Sequence, residues 1–208
     1  MPRLMDMGLD QLNSLLLEMA NLSQQAVSSS MDAYAKGEKG TEVKQMSDRL
    51  QTLHRQVSDL AVEMIARYQP VATDLRFVKA CMEISYGFFR YGRYALDITE
   101  VLEMFGDLSK CERTYVFDTA RKTQEMIRMS IEAFARRDVE MARKIPDMDD
   151  AVDNSYRDNL SNMIQGRGNL KCSLSAALIL RYLERIADHA SFIGETVEYI
   201  ATGVEPQG

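Results

Sequence analysis

The chain has 208 residues, of which 46% are hydrophobic, with 14 methionines and no tryptophan. This composition is globular rather than disordered, and the length suffices for one large domain or two small ones with real cores. Its 25 basic and 31 acidic residues give a net charge of −6, which excludes the clustered positive charge of a nucleic-acid footprint.

Helical periodicity dominates. Leu12, Leu15, Leu16, Met19, Leu22 and Val27 recur at three-to-four spacing and predict a first amphipathic helix. The KGEKG stretch from Lys36 to Gly40 breaks it. A second helix is expected from about Glu42 to Gln69, with Leu50, Leu53, Val57, Leu60, Met64 and Ile65 on its apolar side. Pro70 stops it, lacking an amide donor and restricting its predecessor. A third helix runs from near Ala72 to Phe105, with Thr73 or Asp74 as its cap and Gly106 as its C-terminal stop. Ser109-Lys-Cys-Glu112 has the form of a capping box ahead of a fourth helix that reaches Arg136. A fifth starts near Met148 after Pro146 and ends near Gln165, and a sixth runs from Leu170 to about Ala201. The tail from Gly203 on is expected to fray. Met usage of this kind suits irregularly packed helical cores.

The chain reads as one unit written twice. MDAYAKGE at 31–38 is echoed by IEAFARRD at 131–138. The segment starting at Leu75 is echoed by that starting at Leu170, pairing Ile84 with Ile179, Arg90 with Arg185, Ile98 with Ile193 and Glu100 with Glu195 at an offset of 95. Such repetition constrains a fold more than any single motif. The expected architecture is all-α: two tandem three-helix bundles, residues 1–106 and 107–208, related by a pseudo-twofold axis. The third and sixth helices, being the most apolar, should meet at its centre.

The three cysteines, Cys81, Cys111 and Cys172, are scattered without a CxxC. They read as buried free thiols in a reducing compartment. The N-terminus carries acids where a signal peptide needs an apolar run, and the stretch from Leu174 to Leu180 is too short to span a bilayer. A cytoplasmic protein with only peripheral membrane contact is expected.

Glu184 and Asp188 are four apart, so both carboxylates project from one helix face. Like charges there repel unless a cation or a basic group neutralises them, and hard divalent metals take such oxygen clusters. Glu195 lies three turns further along that face. On spacing alone the plainer reading is favoured, a solvated acidic face paired with Arg181 and Arg185. His189 and His54 read as surface or packing residues, and Tyr86, Phe88, Phe89, Tyr91 and Tyr94 as core and bundle interface. There is no HExxH, no Glu-x-x-His, no Walker loop and no nucleophile elbow. Nothing in the sequence argues for catalysis.

At several of these residues the chain resembles the PhoU-type phosphate-uptake regulators. QPVATDLR, from Gln69 and Pro70 through Asp74 to Arg76, is similar to that family's segment at the start of the third helix. LERIADHASFIGE is similar to its segment in the last helix, and the Leu-rich helix leading into MDAYAKGE is similar to its first. The resemblance implies a homodimer of doubled three-helix bundles. It implies a negative regulator working between a phosphate ABC transporter, docking on its ATPase subunit, and a sensor histidine kinase. It also implies ExxxD faces able to hold iron- or zinc-type metal clusters. Carried over, Glu184 and Asp188 match that motif in the second half, while Phe192 stands where the family has Asn. In the first half the three positions are Phe89, Arg93 and Asp97, and a guanidinium there removes a ligand and repels a cation. The first bundle is therefore expected to be metal-free and the second to hold at most one divalent or iron/zinc-type ion weakly. Phosphate is not expected as a direct ligand, because an acidic face repels it. Two other readings stand beside the regulator: a helical-bundle metalloprotein using Glu184, Asp188 and Glu195, and a divergent regulator of another transport system.

Overall fold

The computed structural model describes residues 4–204. Six long helices carry the chain: α1 (Leu4–Lys36), α2 (Thr41–Tyr68), α3 (Ala72–Phe105), α4 (Thr114–Arg136), α6 (Pro146–Ile164) and α7 (Leu170–Thr202). Between α4 and α6 sits a one-turn helix, α5 (Val139–Ala142), absent from the sequence expectation. It forms because Asp138 accepts the amide proton of Met141 at 3.0 Å and caps it. No strand occurs among the described residues. The frayed tail expected beyond Gly203 falls almost wholly outside the described range. No described helix is long and apolar enough to cross a membrane.

Helices α1, α2 and α3 pack as one trio, and α4, α6 and α7 as the other, so the doubled pattern is realised in space. The apolar stripes explain the packing. Leu12, Leu16, Met19 and Val27 of α1 are buried against Leu50, Leu53, Val57 and Met64 of α2 and Phe88 and Tyr91 of α3. Each such large side chain contributes roughly 1.5–3 kcal/mol by leaving water. Ile65, by contrast, is 39% exposed and faces outward. The same buried cluster continues into Met126, Ile127, Ile186 and Ile193 of the second trio. A second cluster, with Tyr34, Leu108, Val116 and Ile179, lies under the loop that links the trios.

As expected, α3 and α7 form the centre. They run antiparallel, since Lys79 lies over the Tyr199 ring at 4.7 Å while Tyr94 stacks near Tyr182 at 6.1 Å. The repeat is visible in how each trio closes. Gly40, at the α1–α2 turn, has φ 50°, and a Cβ there would stand 2.7 Å from Cγ2 of Thr99. Ninety-five positions after Thr99, Gly194 of α7 lets the Ala142 carbonyl approach to 2.9 Å of where its Cβ would be. Both trios bring a turn down onto the same place on the central helix, with glycine on opposite partners.

Helix ends differ from expectation in two places. Thr73 and Asp74 do not cap α3, because the helix starts at Ala72 and both residues already lie in its first turn, after an uncapped Val71. Gly106 does end the helix, its amide bonded to the Leu102 carbonyl. Ser109 and Glu112 make no capping box. The Ser109 amide donates to Asp107 Oδ1 and the Thr114 amide to Glu112 Oε1, each at 2.8 Å, because α4 begins only at Thr114.

The cysteines depart most. Cys111 and Cys172 are joined by a disulfide across 61 positions, and Cys81 alone is a buried free thiol. The disulfide exists because the linking loop passes the start of α7, where Lys171 Nζ also donates to the Asp107 carbonyl at 2.8 Å.

Candidate functional site

The predicted acidic face lies on the second trio and is larger than the sequence reading made it. Asp188 of α7 meets Asp149 and Asp153 of α6, with one carboxylate oxygen from each within 4.8 Å of the others. Helix geometry supplies the arrangement: Asp149 and Asp153 are four apart on α6, one turn along a face, as Glu184 and Asp188 are on α7. Glu184 is 9% exposed and lies beside them.

Three of the four carboxylates accept an arginine hydrogen bond on one oxygen. Asp188 Oδ2 accepts from Arg185 Nη1 at 3.1 Å, Asp153 Oδ2 from Arg157 Nη2 at 3.1 Å, and Glu184 Oε1 from Arg181. Asp149 Oδ1, Asp153 Oδ1 and Glu184 Oε2 are buried with no hydrogen-bond partner. Burial and the neighbouring carboxylates of Asp188, Asp153 and Glu184 push the Asp149 carboxyl up to about 6. Glu184 is raised by burial and then by Asp188, against Arg181 and Arg185. Asp188 is raised chiefly by burial, against Arg185. Buried oxygens without hydrogen-bond partners on adjacent carboxylates form a donor set that fits a hard cation, although Arg185 Nε stands 3.7 Å from Glu184 Oε2. Glu195 is not part of this group. Burial, followed by the Glu198 carboxylate, raises its carboxyl separately.

The equivalent face on the first trio is built differently. Arg93 pairs with Asp97 at 2.9 Å and reaches towards Glu100 at 4.0 Å. Phe89 stacks on His54 of α2, ring centroids 5.7 Å apart and 8° from parallel. His54 Nδ1 shares a 2.9 Å hydrogen bond with Ser85 Oγ. The only set of three metal-competent side chains among the described residues is the one on the second trio. A face carrying Phe89, Arg93 and a satisfied Asp97 does not fit a metal ion.

Both histidines are packing residues. His189 stacks on Tyr94 and meets Tyr86 edge-on, and burial with the charges of Arg90 and Arg185 pushes it down to about 4. Of the aromatic set, Phe88, Tyr91 and Tyr94 are buried, whereas Tyr86 is 43% exposed.

The QPVATDLR segment lies elsewhere. Gln69 ends α2 in the left-handed region at φ 48°, Pro70 is buried, and Asp74 sits in the first turn of α3. Arg76 donates to Thr73 Oγ1 at 3.2 Å, its Nε is buried without a partner, and Gly203 lies beside its guanidinium. This corner therefore meets the C-terminal end of α7. Fifteen residues of helix at 1.5 Å each put it roughly 22 Å from Asp188.

Asp149 and Asp153 were missed from sequence. The available signal was the i,i+4 acid spacing in DDAVD, but its value depends on α6 lying against the Glu184–Asp188 face.

The PhoU domain family model matches residues 16–102 and again 118–197. A Pseudomonas putida protein described as a phosphate-specific transport system accessory protein PhoU homolog is 27% identical over 205 residues, 95% of this chain and 80% of its own length. A Zymomonas mobilis protein of the same description is 29% identical, covering 95% of this chain and 86% of its own. The crystal structure of PhoU from Pseudomonas aeruginosa superposes with a TM-score of 0.87 at 26% identity, over 96% of this chain and 99% of that one. The phosphate transport system regulatory protein PhoU from Streptococcus pneumoniae, 20% identical, shares the fold at a TM-score of 0.77, over 98% of this chain and 100% of its own.

Proposed function

The chain belongs to the PhoU family, accessory regulators of phosphate transport, and from that premise we propose that it acts by docking rather than by catalysis. The partners are the ATPase subunit of a phosphate ABC transporter and a phosphate-sensing histidine kinase, met in the cytoplasm, and the working form is a homodimer. Docking restrains uptake by favouring one state of a two-state partner. The observation that carries this reading is the family match in both halves of a fold that follows the P. aeruginosa protein end to end. The exposed acids Glu100 and Glu103 of α3 offer a surface that steers a basic partner. Affinity capture from phosphate-replete and phosphate-starved cells tests it. Recovery of phosphate-transport components is the expected result. Recovery of a different transporter's components instead would favour a divergent regulator, the reading to which the altered first-half motif points.

The second-trio face holds one hard divalent or iron/zinc-type cation through Asp149, Asp153 and Asp188, with Glu184 beside them. Bound there, the ion would add positive charge beside Asp149, whose three carboxylate neighbours already pair with Arg157, Arg181 and Arg185. The support is the convergence of Asp149, Asp153 and Asp188 within 4.8 Å, with Asp149 Oδ1 and Asp153 Oδ1 buried and without a hydrogen-bond partner. The first trio holds none, since Arg93 already neutralises Asp97.

A further inference from the structure

We infer that Cys111 and Cys172 form a reversible dithiol–disulfide switch, opened by a dithiol reductant and closed by a peroxide, that fastens or frees the loop between the two trios. The disulfide is not sealed in a core. Both cysteines are only half-buried, and they line an open cavity of about 730 Å³ with Lys110, Asn159, Arg167 and Asn169. Asn159, 7% exposed, lines the same cavity, and its Oδ1 has no hydrogen-bond partner although its Nδ2 donates to Tyr115. A space of that size beside a disulfide admits a small thiol, a peroxide or the tip of a dithiol protein.

The two sulfurs are not equivalent. Cys172 lies in the first turn of the 33-residue α7, its amide donating to the Asn169 side chain at 3.2 Å. Amides and partial positive charge at a helix start favour a thiolate, so Cys172 is the attacking sulfur. Cys111 sits in the loop as the resolving thiol. Cys81, deep in the core with its thiol pushed up to about 12 by burial, takes no part.

The chemistry closes. In oxidation the Cys172 thiolate attacks one peroxide oxygen, the O–O bond breaks, and the departing oxygen takes up a proton and leaves as water or alcohol. The Cys111 sulfur then attacks the Cys172 sulfenic acid, the S–O bond breaks, and water leaves with the Cys111 proton. In reduction a dithiol attacks the disulfide, forms a mixed disulfide and displaces it with its second sulfur, leaving two cysteine thiols and an oxidised reductant. In a reducing compartment, the one proposed above, disulfides are transient and sensing rather than structural.

What moves is defined by the loop's other ties. Leu108 is buried, Lys171 holds the Asp107 carbonyl, and Arg113 donates to the Tyr34 carbonyl at 2.8 Å while lying over the Tyr34 ring. The loop thus touches the end of α1 and the start of α7 at once, so its release alters how the two trios meet at that end.

The test uses the reduced, native full chain. Peroxide is expected to form the Cys111–Cys172 bond without denaturant, a dithiol to reopen it, and Cys81 to stay unmodified throughout, as read by alkylation and mass. Cys111→Ser is expected to accumulate a sulfenic-acid adduct on Cys172, and Cys172→Ser to leave Cys111 unoxidised at the same peroxide dose. Amide exchange over residues 106–113 and 170–174 should rise at least about tenfold on reduction, while that of the central helices is unchanged. Failure of the bond to form in the native reduced chain, opening only after denaturation, or unchanged exchange in the loop would each overturn the switch. Should either variant fail to fold, the wild-type cycle and its exchange decide the matter alone.

Discussion

Tyr94 of α3 stacks on His189 of α7, ring centroids 6.0 Å apart and 28° from parallel, and the two residues occupy equivalent positions of the repeat, 95 apart. Residues related by a twofold axis touch each other only where they lie close to it. The pseudo-twofold axis therefore passes beside this ring pair, through the α3–α7 contact. The two halves thus place a tyrosine and a histidine at one equivalent position, in contact across the axis. Arg90 lies over the Tyr94 ring at 4.5 Å and keeps a positive charge at the same spot, which is one reason the histidine stays neutral.

The close approach at Gly194 makes a directional prediction. A Cβ there would lie 2.9 Å from the backbone oxygen of Ala142, which cannot swing aside. Gly194→Ala should cost about 1–2 kcal/mol net of its helix-propensity gain, read as a lower denaturation midpoint. At Gly8 the obstacle is the Met64 thioether, 2.9 Å away and flexible, so Gly8→Ala should be neutral or stabilising. Equal effects at the two sites would contradict this packing account.

The pH dependence of stability has a specific contribution from His54. Burial, helped by the Arg55 charge, lowers its pKa, so the folded chain holds the imidazole neutral between Ser85, Phe89 and Tyr86. The unfolded chain protonates first, at about 6.5. The stability from His54 is thus fully present above that value and declines as pH falls through it towards the lowered folded pKa. The stability difference between the wild type and His54→Gln should shrink from pH 7.5 to pH 5, measured by denaturant unfolding. A difference that grows would show that His54 carries charge in the fold.

The two faces should differ in metal content. Elemental analysis of chain equilibrated with manganese, iron or zinc should give no more than one ion per chain. Asp149→Asn should weaken binding by on the order of tenfold or more, since ligand charge sets affinity in oxygen sites. Arg93→Ala should leave the stoichiometry unchanged, because Phe89 remains and Asp97 and Glu100 belong to no group of three metal-competent side chains among the described residues. Two ions per chain would contradict the assignment of the first face.

What the sequence conveyed and what it withheld follow from the range of the signals. The long helices were readable because apolar spacing, the Lys36–Gly40 break, Pro70, Gly106 and Pro146 are local signals. The central pairing of α3 and α7 was readable because they are the most apolar helices of the chain. Asp149 and Asp153 were not, since their role depends on α6 packing against α7 and not on their own helix. Cys111 and Cys172 are 61 positions apart and share no spacing rule, so only the path of the linking loop reveals their bond. The altered first-half face, by contrast, was readable from the identity of Arg93 itself, which pairs with Asp97 at 2.9 Å.

The docking role is tested most directly by titrating the purified chain into the purified ATPase subunit of the phosphate transporter by calorimetry, at low and at moderate salt. The account predicts a saturable complex that weakens as salt rises, because exposed acids steer the encounter and salt screens them. No heat of binding at concentrations of about 100 μM, at either salt level, would contradict it.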